Sequence, residues 1–182
     1  MISIIHTACG FLALALGVVV LLNDKGTRFH RKVGWTYWLV MLVLNVTAFR
    51  IYHLTGHWNI FHIFAVLSLA TLSAGLIPVL LRKQLRNWLA LHYTYMAWSY
   101  AGLLAATSNE LFAHVPVLKG LVRITGQWVI LAALVVILGL SALLISRRKD
   151  AILISYNHTI ASDPAPTADP LYPVRPAKRE ND

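Results

Sequence analysis

Apolar residues run in long unbroken stretches along this chain, and the charged residues fall between them. Five stretches stand out, over residues 2–22, 33–52, 60–81, 88–107 and 125–146. The second is the shortest, an uninterrupted run over 33–49 that extends at both ends. Arg50 apart, none of the five contains Asp, Glu, Lys or Arg. A helix needs about 20 apolar residues to cross the hydrocarbon core of a bilayer. Hydrocarbon offers backbone groups no partner, so each run must satisfy its own as a helix. Lipid-facing strands would alternate polar and apolar residues, and these runs do not. The predicted fold is therefore all-α: a polytopic membrane protein with five transmembrane helices, a four-helix bundle core and one flanking helix. Residues 1–150 form this helical domain, and Pro78 should bend or end the third helix near its exit. Residues 151–182 are polar and Pro-rich, the expected composition of a disordered tail, with a short amphipathic turn at Ile152 to Ile154.

Composition supports a membrane class. Hydrophobic residues make up 58% of the 182 and charged residues only 13%, where a soluble domain carries about 25%. The net charge of +9 does not point to nucleic acid, because the basic residues cluster between apolar runs as topology signals do. The first run lacks a basic leader and a cleavage site, so it reads as a retained helix rather than a removable signal peptide. The single cysteine, Cys9, lies inside that run and can make no internal disulfide.

Orientation follows from the loops. Lys25, Arg28, Arg31 and Lys32 lie in the first, Arg82, Lys83 and Arg86 in the third, and Arg147, Arg148 and Lys149 follow the fifth helix; the opposite side holds Arg50, Lys119 and Arg123. The positive-inside rule places the N-terminus outside and the C-terminus in the cytoplasm. Trp58 and Trp128 then mark the outer interface, and Trp35 and Trp88 the inner one.

The histidines follow this topology. His6, His30, His62 and His92 each lie near the N-terminal end of one of the first four helices. Because the chain alternates direction, His6 and His62 share the outer level and His30 and His92 the inner one. Two imidazoles facing each other across a bundle can take both axial positions of a haem iron, and the bundle supplies an apolar slot. The two levels lie on the order of 20 Å apart. Small and flexible residues follow at helical spacing: Gly10, Ala13 and Gly17 after His6, and Gly34, Tyr37 and Met41 after His30. Such rows leave room for a flat ring or for a neighbouring helix. Arg31 and Lys32 stand beside the inner pair as counter-charges for propionates. Each histidine taken singly also fits a hydrogen-bonded interfacial residue. A further outer cluster of His53, His57, Glu110 and His114 fits either a wet rim or a metal or reductant site.

The runs HTACGFLALALGVVVLLNDKGTRFHRKVGWTYWLVMLVLNVTAFRIY, FHIFAVLSLATLSAGLIPVLLR and LHYTYMAWSYAGLLAATSNE resemble the bacterial predicted membrane proteins grouped as DUF2306. The resemblance covers most of residues 1–125 and implies a multi-pass protein of the bacterial inner membrane, without an established activity. The plan of helices and histidines is also similar to the two-haem transmembrane cytochrome b superfamily, with its ascorbate-linked and ferric-reductase types. That similarity implies two haem b groups on His6/His62 and His30/His92, and an electron-transfer protein working with a quinol or other small reductant and a redox partner protein. No flavin or nicotinamide module follows the bundle. Two other classes stay open: a metal-handling protein (a zinc-dependent hydrolase or a carrier) and a non-catalytic assembly subunit. Haem would give a Soret band and the other two would not.

Overall fold

The computed structural model describes residues 2–55 and 60–162, with side-chain environments for 2–50 and 62–155. The described residues form six helices: α1 (Ile2–Leu22), α2 (Arg28–Thr55), α3 (Ile60–Leu80), α4 (Trp88–His114), α5 (Pro116–Thr125) and α6 (Trp128–Ser162). The fold is all-α, with no strand among the described residues. Helices α1 and α2 form one tight antiparallel hairpin and α3 and α4 another. The hairpins meet through α2 on α3 and, over a smaller area, α1 on α4; α6 lies outside them, packed on α4. This is the expected four-helix core with one flanking helix.

Four helices, α1, α2, α3 and α6, are long and apolar enough to cross a membrane by length and composition. The fourth span, α4, is 27 residues long, or about 40 Å, but is more polar. Its place explains this. Neighbours α1, α3 and α6 surround it, and its Ser99, Ala101, Leu103 and Ala105 are buried. A helix wrapped by other helices has little lipid-facing surface to keep apolar. The outer helices show the reverse: Ile4, Phe11, Leu22, Leu39 and Val135 all project from the bundle, as a lipid-facing surface requires.

The core is small. Ala13, Tyr37, Val40, Met41, Leu72 and Leu103 form it, with Met96, Trp38 and Tyr100 packed around. The row of small residues on α1 takes neighbouring side chains. Leu44 of α2 lies against Gly10, and the ring of Tyr100 lies on Gly17 so closely that a β-carbon there would overlap it.

Element ends depart from the apolar runs where charge and capping decide them. Helix α2 begins at Arg28, five residues before the apolar run, because Thr27 caps it; its Oγ1 accepts the backbone N–H of His30 at 3.1 Å. Helix α4 runs on to His114. Gly126, at φ +70°, turns the chain into α6, so that helix starts at Trp128 rather than 125. It then continues past Arg147, Arg148 and Lys149 to Ser162, 35 residues in all or about 52 Å. That exceeds a bilayer core of about 30 Å, so its end leaves the membrane still helical. Helix α3 passes through Pro78 and stops two residues later, at the exit expected. The tail expected over 151–182 is thus helical as far as Ser162, and residues 163–182 lie outside the described residues.

Candidate functional site

His30 and His92, expected as the inner pair, meet in one place. His30 stands in the first turn of α2, fixed by the Thr27 cap, and His92 in the second turn of α4. Both line a half-open, mainly apolar cavity of about 130 Å³. All four bundle helices contribute to its walls, among them Gly17 of α1, Trp38 of α2, Leu76 of α3 and Tyr100 of α4.

The hydrogen bonds of His92 set its chemistry. Its Nδ1 lies 2.7 Å from the carbonyl oxygen of Gly75 on α3. A carbonyl can only accept, so Nδ1 carries the proton and Nε2 keeps its lone pair. Glycine permits this reach. A β-carbon at position 75 would lie 2.6 Å from Met96 Sδ and 3.3 Å from the Met96 backbone nitrogen, and would hold α3 and α4 apart.

Two other residues lining the cavity, His30 and Trp38, carry buried polar atoms without a hydrogen-bond partner, at Nδ1 and Nε1 respectively. Most buried polar groups are paired, and an unmade bond of this kind costs about 1–3 kcal/mol. An indole N–H can only donate, so Trp38 calls for an acceptor atom. Trp35 stands edge-on to it, with ring centroids 6.0 Å apart at 76°. Behind them Tyr37 Oη lies 3.4 Å from Ser99 Oγ, a buried link between α2 and α4.

Of the two cations singled out in the sequence, Arg31 lines the cavity; Lys32 is exposed and does not. Lys25, a topology signal in the sequence, lines it too. Its ammonium donates to the carbonyls of Val20 and Leu21 at 2.8 Å and of Asn23 at 2.7 Å, closing the C-terminus of α1. Burial holds its pKa below the ordinary lysine value, with the Asp24 carboxylate opposing the shift. A second, more polar cavity of about 350 Å³ shares Leu21, Lys25 and Ile152 with the first and adds Arg148 from α6.

His6 and His62, expected as the outer pair, are placed differently, on helices that are not packed neighbours. His6 Nδ1 lies 3.0 Å from Thr47 Oγ1 on α2. The Thr47 hydroxyl has one proton, directed to the carbonyls of Val43 at 2.9 Å and Leu44 at 2.8 Å. It therefore accepts from His6, which takes the same Nδ1–H tautomer as His92. His62 is buried in the first turn of α3, at 5% exposure. Neither residue lines the inner cavity.

Of the outer cluster, Glu110 and His114 come together: His114 Nδ1 lies 3.2 Å from Glu110 Oε2, one turn apart on α4. Their side chains are 62% and 75% exposed, so the contact is weak in water. His57 and the side chain of His53 lie outside the described residues. Among the described residues, no group of three or more His, Cys, Asp or Glu side chains could hold a metal ion.

A family model described as "Predicted membrane protein (DUF2306)" matches residues 3–145. No curated protein and no solved structure matches the chain.

Proposed function

Since the chain belongs to the DUF2306 family of predicted membrane proteins, a description that carries no activity, we propose its function from the site: it is a membrane-embedded, haem-binding electron-transfer protein of the cytochrome b kind. One observation carries this reading. His30 and His92, from opposite helices of the bundle, share one apolar cavity, and the Gly75 carbonyl leaves His92 with a free Nε2 lone pair. A protonated nitrogen turned to a backbone carbonyl is the usual arrangement behind a metal-binding imidazole.

The donor set suits the group. His30 and His92 offer two neutral imidazoles, the ligand type haem iron takes on both faces. Trp38 offers a buried N–H to a carboxylate oxygen. Lys25 and Arg31 at the cavity, and Arg148 next to it, supply positive charge where propionates would emerge. Bound there, haem supplies a one-electron couple. The macrocycle is larger than the cavity as it stands, so it would occupy the open side and spread the lining side chains. The sequence plan extends this reading to a second haem at the other level, held by His6 of α1 and His62 of α3. In this reading the N-terminus faces outward, the C-terminus lies in the cytoplasm, and the host is the bacterial plasma membrane. Electrons pass between a quinol or other small reductant and an acceptor or partner protein.

A visible spectrum of the detergent-purified full chain, oxidised and dithionite-reduced, tests this. A Soret band and a bis-histidine reduced spectrum are expected. His30→Ala and His92→Ala should each lower haem content by about half while the protein still inserts, because Arg28, Arg31 and Lys32 keep the topology signal. Protein produced with ample haem that shows no Soret band overturns the reading. Full haem content and an unchanged reduced spectrum in both variants would remove the inner site.

A further inference from the structure

Helix α5 has no counterpart among the five apolar runs, and its surface divides into three faces. At about 100° per residue, Val117, Leu121 and Ile124 fall within roughly 60° of one another. Val117 is 80%, Ile124 85% and Leu121 40% exposed, so this apolar face stands largely uncovered among the described residues. Leu118 and Val122 are half-buried and turn toward the bundle. Lys119 and Arg123, one turn apart and both exposed, lie on the side opposite the apolar face. The helix has no acidic residue.

Its connections fix where it lies. Val115, extended at φ −80° and ψ 122°, alone separates α5 from α4, and Gly126 and Gln127 alone separate it from α6. Both neighbours span the membrane. A helix about 15 Å long, tied this closely to the ends of two spanning helices, can lie only where the bundle leaves the bilayer. There an apolar face on one side and two cations on the other fit a single surface, the boundary between acyl chains and headgroups. Trp128, 76% exposed at the start of α6, stands at the same boundary, where indole rings concentrate.

We propose that α5 is a lipid-binding helix: it lies in the plane of the membrane surface, with Val117, Leu121 and Ile124 among the acyl chains and Lys119 and Arg123 holding the headgroups of anionic phospholipids. This goes beyond the haem reading and does not depend on it. Cations at a membrane surface attract anionic lipid, with a gain of about fivefold in local partitioning for each.

Spin labels test the placement in the full chain, reconstituted in phosphatidylcholine vesicles with and without phosphatidylglycerol. With Cys9→Ser as background, single cysteines replace Val117, Ile124 or Lys119. Labels at 117 and 124 should relax with dissolved oxygen and resist an aqueous nickel chelate, and the label at 119 should do the opposite. Equal access of the chelate to all three overturns the proposal. So does protection of 117 and 124 from both reagents, which would mean that a protein covers the face. Lys119→Gln with Arg123→Gln should reduce the phosphatidylglycerol retained by the purified protein by roughly 5- to 25-fold. Unchanged retention overturns the assignment of the anionic headgroup.

Discussion

Replacing Gly17 by alanine should destabilise the bundle by about 2 kcal/mol, against the gain in helix propensity that alanine brings. The Tyr100 ring lies on Gly17, and a β-carbon there would overlap it. The ring cannot simply slide away, because its hydroxyl donates to the Leu14 carbonyl at 3.3 Å, one turn earlier on α1. Forcing an extra methyl into such a contact costs about 1–3 kcal/mol. Loss of the interhelical hydrogen bond adds about 0.6 kcal/mol, a typical value in membranes. Alanine in place of glycine in a helix returns about 0.5–1 kcal/mol, which leaves a net loss near the figure given. A double-mutant cycle separates the parts. Tyr100→Phe keeps the ring and should cost only the hydrogen bond. In a Tyr100→Ala background the added methyl fills vacated space, so Gly17→Ala should be neutral or mildly stabilising there. Unfolding of the purified protein by SDS in mixed micelles, followed by circular dichroism, gives the four free energies. A Gly17→Ala penalty of equal size with and without the Tyr100 ring would refute the argument, as would no penalty at all.

Three further predictions follow from the same geometry. Gly75→Ala should push Met96 and separate α3 from α4 by a few tenths of an ångström, stretching the 2.7 Å bond from His92 to the Gly75 carbonyl; imidazole ¹⁵N shifts should then show His92 losing its preference for the Nδ1–H tautomer. Lys25→Met removes three hydrogen bonds to the end of α1 and should lower stability in the same SDS assay by about 1–2 kcal/mol; a loss no larger than that of Lys32→Met, at an exposed neighbour, would deny Lys25 its capping role. For orientation, a cysteine placed beside Lys83 should be protected from an impermeant reagent added to intact cells and one beside His57 should react, and the reverse pattern would invert the topology.

In the sequence, two histidine levels follow from the alternating helix direction and from the place of each histidine near the start of its own helix. The pairing of His30 with His92 in one cavity agrees with that reading. The roles of Lys25, Trp38 and Gly75 were not legible. Lys25 reads as a loop charge until its reach back to the α1 carbonyls is seen. Trp38 reads as an interfacial or core aromatic until its N–H is found buried without an acceptor. For α5 the signal was present: PVLKGLVRIT places apolar residues at i, i+4 and i+7 and cations on the opposite side. A search for runs of spanning length passes over a helix of 10 residues.

The sequence by itself determined the multi-pass, all-helical form, because in hydrocarbon each backbone group must find its partner within its own segment, so a local apolar run is sufficient evidence. It also predicts a level for each histidine, since depth depends only on distance along a helix. Tertiary structure decided what no local pattern carries. The tautomer of His92 depends on a carbonyl 17 residues away on another helix. Whether the small-residue row on α1 receives a cofactor or a neighbour depends on where Tyr100, 83 positions beyond Gly17, comes to rest. The tolerance of α4 for its many polar residues depends on the three helices around it. Each is a contact between segments that meet only after the helices pack, and packing in lipid is set by surface fit and interhelical hydrogen bonds rather than by hydropathy.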